Sequence, residues 1–137
     1  MTGIQQNKSI LLVEEDHTTA LSIKLQLETN GFKVELFTDP VLALDEYKKS
    51  PLSYDLVISD IKTVHMSTFE FMRAIRLENS NSRILLITPF EIKASEFSKV
   101  LPENKVNGFV EKPLLLTRLV SSVKEILALP NNAGFKL

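Results

Sequence analysis

The sequence predicts an α/β fold, one parallel sheet covered by helices on both faces. Three observations lead there. Short apolar runs alternate five times with amphipathic, helix-length stretches, and right-handed crossovers turn that alternation into a parallel sheet with helices on its two sides. The first run, Ser9 to Val13, is continuously apolar apart from its first residue, as suits a strand buried on both faces. A length of 137 residues with 44% apolar content fits one compact domain and leaves no room for a second.

Each element follows in turn. The stretch from His17 to Asn30 carries Ala20, Leu21, Ile23, Leu25 and Leu27 over a helix length, and Gly31 stands where a helix C-terminus takes a left-handed residue. The segment FKVELF alternates as a second strand. Asp39-Pro40 then reads as an N-cap with proline at the first helical position, opening a helix to about Lys49. A third strand, Leu56 to Ser59, runs into an acid, Asp60. Phe69, Met72, Ala74, Ile75 and Leu77 mark a third helix, with Phe69, Phe71 and Met72 as core packing, and RILLIT a fourth strand stopped by Pro89. A shorter helix is expected over Glu91 to Leu101. NGFVEKP holds a short fifth strand, and Leu115 to Ala128 a final helix. The domain is expected over 8–129, with short flexible tails at 1–7 and 130–137.

Composition narrows the function. A net charge of −1 gives no global pull toward nucleic acid or membrane surfaces. The absence of cysteine excludes disulfides, thiolate metal sites and a cysteine nucleophile. With no cationic leader and no long apolar run, a soluble, cytoplasmic protein is expected.

In sheets of this kind, sites form beyond the carboxyl ends of the strands. There the first strand runs into Glu14-Glu15-Asp16, the third into Asp60, the fourth into Thr88 and the fifth into Lys112-Pro113. Taken alone, the acid run reads as a solvated loop before a helix N-terminus. Together with Asp60 it offers carboxylates to a hard divalent cation, with Lys112 offsetting their repulsion. His17 and His65 are read as exposed loop or helix-end residues.

The order of an acid pair, VISD, LLIT and VEKP resembles the receiver domain of two-component response regulators, over about Lys8 to Leu129. The resemblance implies the flavodoxin-like (βα)5 topology, a doubly wound sheet of strand order 2-1-3-4-5. It also implies a signalling switch rather than an enzyme, and with only the tail after Leu129 remaining, a stand-alone single domain is expected. Asp60 is then the nucleophile that takes a phosphoryl group from a phosphohistidine on a sensor kinase or phosphotransfer protein. Glu15, the Asp60 carboxylate and the backbone carbonyl of Lys62 would ligate Mg²⁺, with Glu14 holding a metal-bound water. Lys112 pairs with the phosphoryl oxygens, Thr88 donates its hydroxyl to them, and Phe109 is the aromatic whose rotamer reports the state. Output would leave through the face built by the fourth helix, fifth strand and fifth helix, which carries Lys93, Lys99, Lys105, Arg118 and Lys124 and so favours an acidic protein partner. A monomer or weak homodimer is expected.

Three departures from the family pattern stand out. Both acids of the pair are Glu, and the extra methylene at Glu15 adds about 1.5 Å of reach, which Mg²⁺ tolerates only if the loop retracts or water intervenes. Pro89 lacks the N–H that normally follows the threonine and donates to the phosphoryl group. After Asp60, IKTVHMSTFEF replaces the usual Met-Pro and Asp-Gly, placing Val64, Ser67 and Thr68 there; Ser67 or Thr68 can N-cap the next helix, and Ser67 with Glu70 fits a capping box. Two alternatives follow: a degenerate pseudo-receiver that binds partners without phosphorylation, and a nucleotide, flavin or hydrolase enzyme on the same fold. The enzyme ranks last, because the four glycines, Gly3, Gly31, Gly108 and Gly134, form no phosphate loop and Lys62 stands where a hydrolase would want a second acid.

Overall fold

A computed structural model describes residues 8–60, 66–88 and 106–129. The strands are β1 (Ser9–Val13), β2 (Lys33–Phe37), β3 (Leu56–Asp60), β4 (Ile84–Thr88) and β5 (Gly108–Glu111), and the described helices are α1 (His17–Thr29), α2 (Pro40–Lys49), α3 (Thr68–Glu78) and α4 (Leu116–Ala128). All neighbouring strands pair in parallel, in the order β2-β1-β3-β4-β5. This is the flavodoxin-like, doubly wound topology expected from the sequence. The helix expected over Glu91–Leu101, the two tails, and the positions of Lys62, His65, Pro89, Lys93, Lys99 and Lys105 lie outside the described residues.

Side-chain alternation along the strands builds two cores. Ile10, Leu12, Leu56, Ile58, Leu85, Ile87 and Val110 point to one face, where Ile23 and Leu27 of α1 and Leu119, Val123 and Ile126 of α4 cover them. Leu11, Val13, Val57, Ile84 and Leu86 point to the other, under Ala43, Leu44 and Tyr47 of α2 and Phe71, Met72 and Ile75 of α3. Continuous apolar runs are therefore required in the central strands, since both faces are dry. Each fully buried Leu, Ile or Phe contributes about 1.5–3 kcal/mol.

Local signals set the helix ends. The Asp39 carboxylate accepts from Val41 N–H at 2.9 Å with Pro40 at the first helical position. Ser67 and Glu70 form the reciprocal capping box expected for α3. Gly31, at φ 94°, takes the left-handed step after α1. β3 extends one residue beyond the expected Ser59, because Asp60 stays in register with Ile87 of β4. Leu115 caps α4 rather than opening it. Leu21 and Leu25 of α1 are 49% and 66% exposed, so these apolar residues belong to the outer surface. No helix among the described residues is long and apolar enough to cross a membrane.

Candidate functional site

Strand register assembles the site. β1 and β3 pair with Ile10 opposite Leu56 and Val13 opposite Ser59, so one step further along the chain Glu14 stands beside Asp60. Alternation puts both carboxylates on the side of the sheet that carries Leu12 and Ile58. Lys112, two residues past Val110, belongs to the same side, and its Nζ donates to Asp60 Oδ2 at 2.8 Å. Glu14 and Asp60 are 2% and 1% exposed, and Lys112 is half-buried above them. The Lys112-Pro113 peptide is cis.

Two buried carboxylates side by side are costly, and Glu14 records it. Burial first, and then a side-chain hydrogen bond and charge from Asp60, push the Glu14 carboxyl up to about 7, against the opposing pull of the Asp16 N–H and the Lys112 charge. Its Oε2 accepts from Asp16 N–H at 3.1 Å. Oε1 is buried and, as a carboxylate oxygen, has no hydrogen-bond partner among the described residues; nor does Oε2 of half-buried Glu15. Both acids of a carboxylate pair can only accept while ionised, so a hydrogen bond between Glu14 and Asp60 requires a shared proton.

The third acid has a different task. Asp16 caps α1, accepting from the backbone N–H and the hydroxyl of Thr19, and those hydrogen bonds hold its carboxyl below the usual carboxylate range. The acid run thus divides: Glu14 lies beside Asp60, and Asp16 starts a helix. His17 is exposed at the first turn of α1. Thr88 ends β4 with its backbone opposite Glu111. Phe109 is half-buried against the second core, opposite Leu86. One contact has no counterpart in the sequence reading: the buried hydroxyl of Thr68 donates to the backbone carbonyl of Asp60 at 2.9 Å. Serine and threonine at a helix start signal a cap, and nothing local signals a tie to a residue eight positions back.

The donor set fits a hard cation. The Glu14 carboxylate, with a buried oxygen that has no hydrogen-bond partner among the described residues, lies next to the Asp60 carboxylate, and such oxygens are the chemistry that Mg²⁺ takes. Among the described residues no three acidic or histidine side chains form a ready-made metal cage.

The raised Glu14 carboxyl makes a stability prediction. Its folded value, about 7, lies above the ordinary 4.5, so between those pH values the folded chain holds a proton that the unfolded chain releases. Stability from this group therefore falls as pH rises through the window and levels off above it, by an amount on the order of 2 kcal/mol. Glu14→Gln carries no such loss. In metal-free buffer its Tm is expected to gain several degrees on wild type at pH 8 and little at pH 5; an equal gap at both pH values would refute the assignment.

A parallel sheet of this order, with buried acids and a lysine gathered at the carboxyl ends of its central strands, defines the CheY-like class of flavodoxin-like domains. The response regulator receiver domain matches residues 10–124, and the chain belongs to that family. It is similar to the sensor protein EvgS of Escherichia coli (strain K12), 33% identical over 123 residues that make up 90% of this chain and 10% of EvgS. It also resembles the sensor kinase CckA of Brucella abortus, 25% identical, covering 92% of this chain and 13% of that protein. The response regulator ArlR of Staphylococcus epidermidis is 27% identical, covering 87% of this chain and 52% of ArlR. The chain thus spans a small part of the first two and about half of the third. Among solved structures, the non-phosphorylated HemR receiver domain of Leptospira biflexa shares the fold at a TM-score of 0.80 and 23% identity, covering 90% of this chain and 97% of that one. The chemotaxis response regulator CheY4 of Vibrio cholerae does so at 0.78 and 22%, covering 88% and 99%. The family is a module of two-component signalling.

Proposed function

We propose that residues 8–129 form a receiver that takes a phosphoryl group on Asp60 from a phosphohistidine of a sensor kinase or phosphotransfer protein, and that signals by protein contact. The observation that carries this is the Asp60 carboxylate, buried at the end of a central strand, 2.8 Å from Lys112 and beside Glu14, one of whose buried oxygens has no partner among the described residues. An oxygen of Asp60 attacks phosphorus, the P–N bond breaks, and the imidazole leaves with the bonding pair. Lys112 stabilises charge on the phosphoryl oxygens, and Thr88 supplies a hydroxyl to them. Glu14, Glu15, Asp60 and the Lys62 carbonyl would hold Mg²⁺, which when bound neutralises phosphoryl charge. Phe109 then changes rotamer with the state of the site. Exposed Arg118 and half-buried Lys124 on α4 favour an acidic partner on that face. A donor phosphorylated at the expense of ATP puts this exchange in the cytoplasm.

Intact-mass spectrometry after incubation with a small acyl phosphate tests the reading. One phosphoryl adduct is expected, dependent on Mg²⁺ and mapped to the peptide carrying Asp60. A folded protein that takes no adduct from this donor or from a range of histidine kinases would instead be a phosphorylation-independent interaction module.

A further inference from the structure

We propose that Thr68 is a positioning residue for phosphoryl transfer, its hydroxyl holding the end of β3, and with it the Asp60 carboxylate, in place. This rests on Asp60 being the phosphoryl acceptor. Asp60 is the last residue of its strand, and its two neighbours hold it unequally. The ladder to β4 includes it, opposite Ile87, whereas the ladder to β1 ends one residue earlier, at Ser59 opposite Val13. The last residue of a strand, where a ladder stops, is where pairing is most prone to fray.

The Thr68 hydroxyl adds a hold from a different element. It reaches the Asp60 carbonyl at 2.9 Å from the first residue of α3, and both residues are at most 2% exposed. The neighbouring Ser59 hydroxyl reaches the same carbonyl at a longer 3.3 Å. Thr68 is itself fixed, because the Ser67–Glu70 capping box closes the helix start around it and Phe71 N–H bonds to the Ser67 carbonyl at 3.0 Å. The contact is therefore a strut between a rigid helix start and the acceptor's own backbone. Its consequence is geometric: Asp60 must offer an oxygen to phosphorus while staying within reach of Lys112, and a displacement of about 1 Å can cost two orders of magnitude in rate.

The test uses the full chain with Mg²⁺ and an acyl-phosphate donor, following adduct formation by intact mass for wild type, Thr68→Val, Thr68→Ser and Ser82→Ala. Valine keeps the shape and removes the hydroxyl; serine keeps the hydroxyl. Ser82→Ala removes a comparable buried hydroxyl contact, to Tyr47 at 3.1 Å, just ahead of β4 and away from the acids. Thr68→Val is expected to lower the maximal rate about tenfold, with the half-saturating donor concentration unchanged. Thr68→Ser should stay within about twofold of wild type, and Ser82→Ala should lose stability without losing rate. The ¹³C shift of the Asp60 carbonyl, read in metal-free protein, should move in Thr68→Val and in neither of the others. An unchanged rate or carbonyl shift in Thr68→Val, a matching rate loss in Ser82→Ala, or no recovery in Thr68→Ser would overturn the proposal. If wild type itself takes no phosphoryl group while the carbonyl shift still responds to Thr68→Val, the acceptor reading has failed and the proposal falls with it.

Discussion

Asp60→Asn is expected to take no phosphoryl group under conditions expected to label wild type completely, and Mg²⁺ is expected to raise its Tm far less than it raises that of wild type. Asparagine matches the shape of aspartate and leaves the Thr68 contact to the backbone carbonyl intact, so the fold should persist. What disappears is the proposed nucleophile and one of the adjoining carboxylates. Without Asp60, the hydrogen bond and the charge that help raise the Glu14 carboxyl are both gone. Glu14 then moves back toward the ordinary carboxylate range, with burial alone still holding it up. The pH dependence of metal-free stability should accordingly flatten in this variant. Intact mass and thermal melts with and without Mg²⁺ check the three outcomes together, and a full adduct on the variant would move the acceptor elsewhere.

Lys112→Ala is expected to slow adduct formation roughly 100-fold, the scale on which losing one positioned donor to a developing oxyanion is felt. Its Nζ stands 2.8 Å from Asp60 Oδ2, close enough to meet phosphoryl oxygens added to that carboxylate. The effect on stability should be smaller than for a fully buried pair, about 1–3 kcal/mol rather than the 3–5 kcal/mol of a deep ion pair broken on one side. Lys112 is a third exposed, at 32%, and the acids left behind can share a proton. Because the lysine charge holds the Glu14 carboxyl down, its removal should raise that carboxyl further and steepen the stability loss toward alkaline pH. Quenched time courses of the adduct and denaturant melts at pH 5 and 8 read both. A rate within threefold of wild type would reduce Lys112 to a structural ion-pair partner.

The central strands were legible because each is an apolar run that only a strand covered on both faces can carry, and the helix starts because Asp39-Pro40 and Ser67-Glu70 are chemical signals confined to a few residues. The division of labour within Glu14-Glu15-Asp16 was not, since a helix cap and a pocket acid use the same carboxylate; the cross-strand register against β3 separates them. Asp60 and Lys112 were singled out through the order of strand-end residues, but the 2.8 Å pairing depends on where β5 delivers the lysine. The tie from Thr68 to Asp60 was not legible because its partner lies eight residues back, and a hydroxyl at a helix start already had a sufficient local explanation. Leu21 and Leu25 show the converse: apolar residues within a helix do not reveal which of its sides meets the core.

The parallel register between β1 and β3 also governs which length changes this chain tolerates. Glu14 meets Asp60 because pairing runs in step from Ile10 opposite Leu56. A single codon lost within β1 would turn the next acids to the opposite side of the sheet and drive polar groups into the core. The turn at Ser50 to Ser53 leads into the other end of β3, and Leu52 there is 84% exposed. Extra residues at that turn lengthen a surface loop at a modest entropic cost and leave the pairing in step. Insertions and deletions should therefore accumulate at the amino ends of the strands, where an epitope or reporter can be spliced in, while the strands themselves vary by substitution alone.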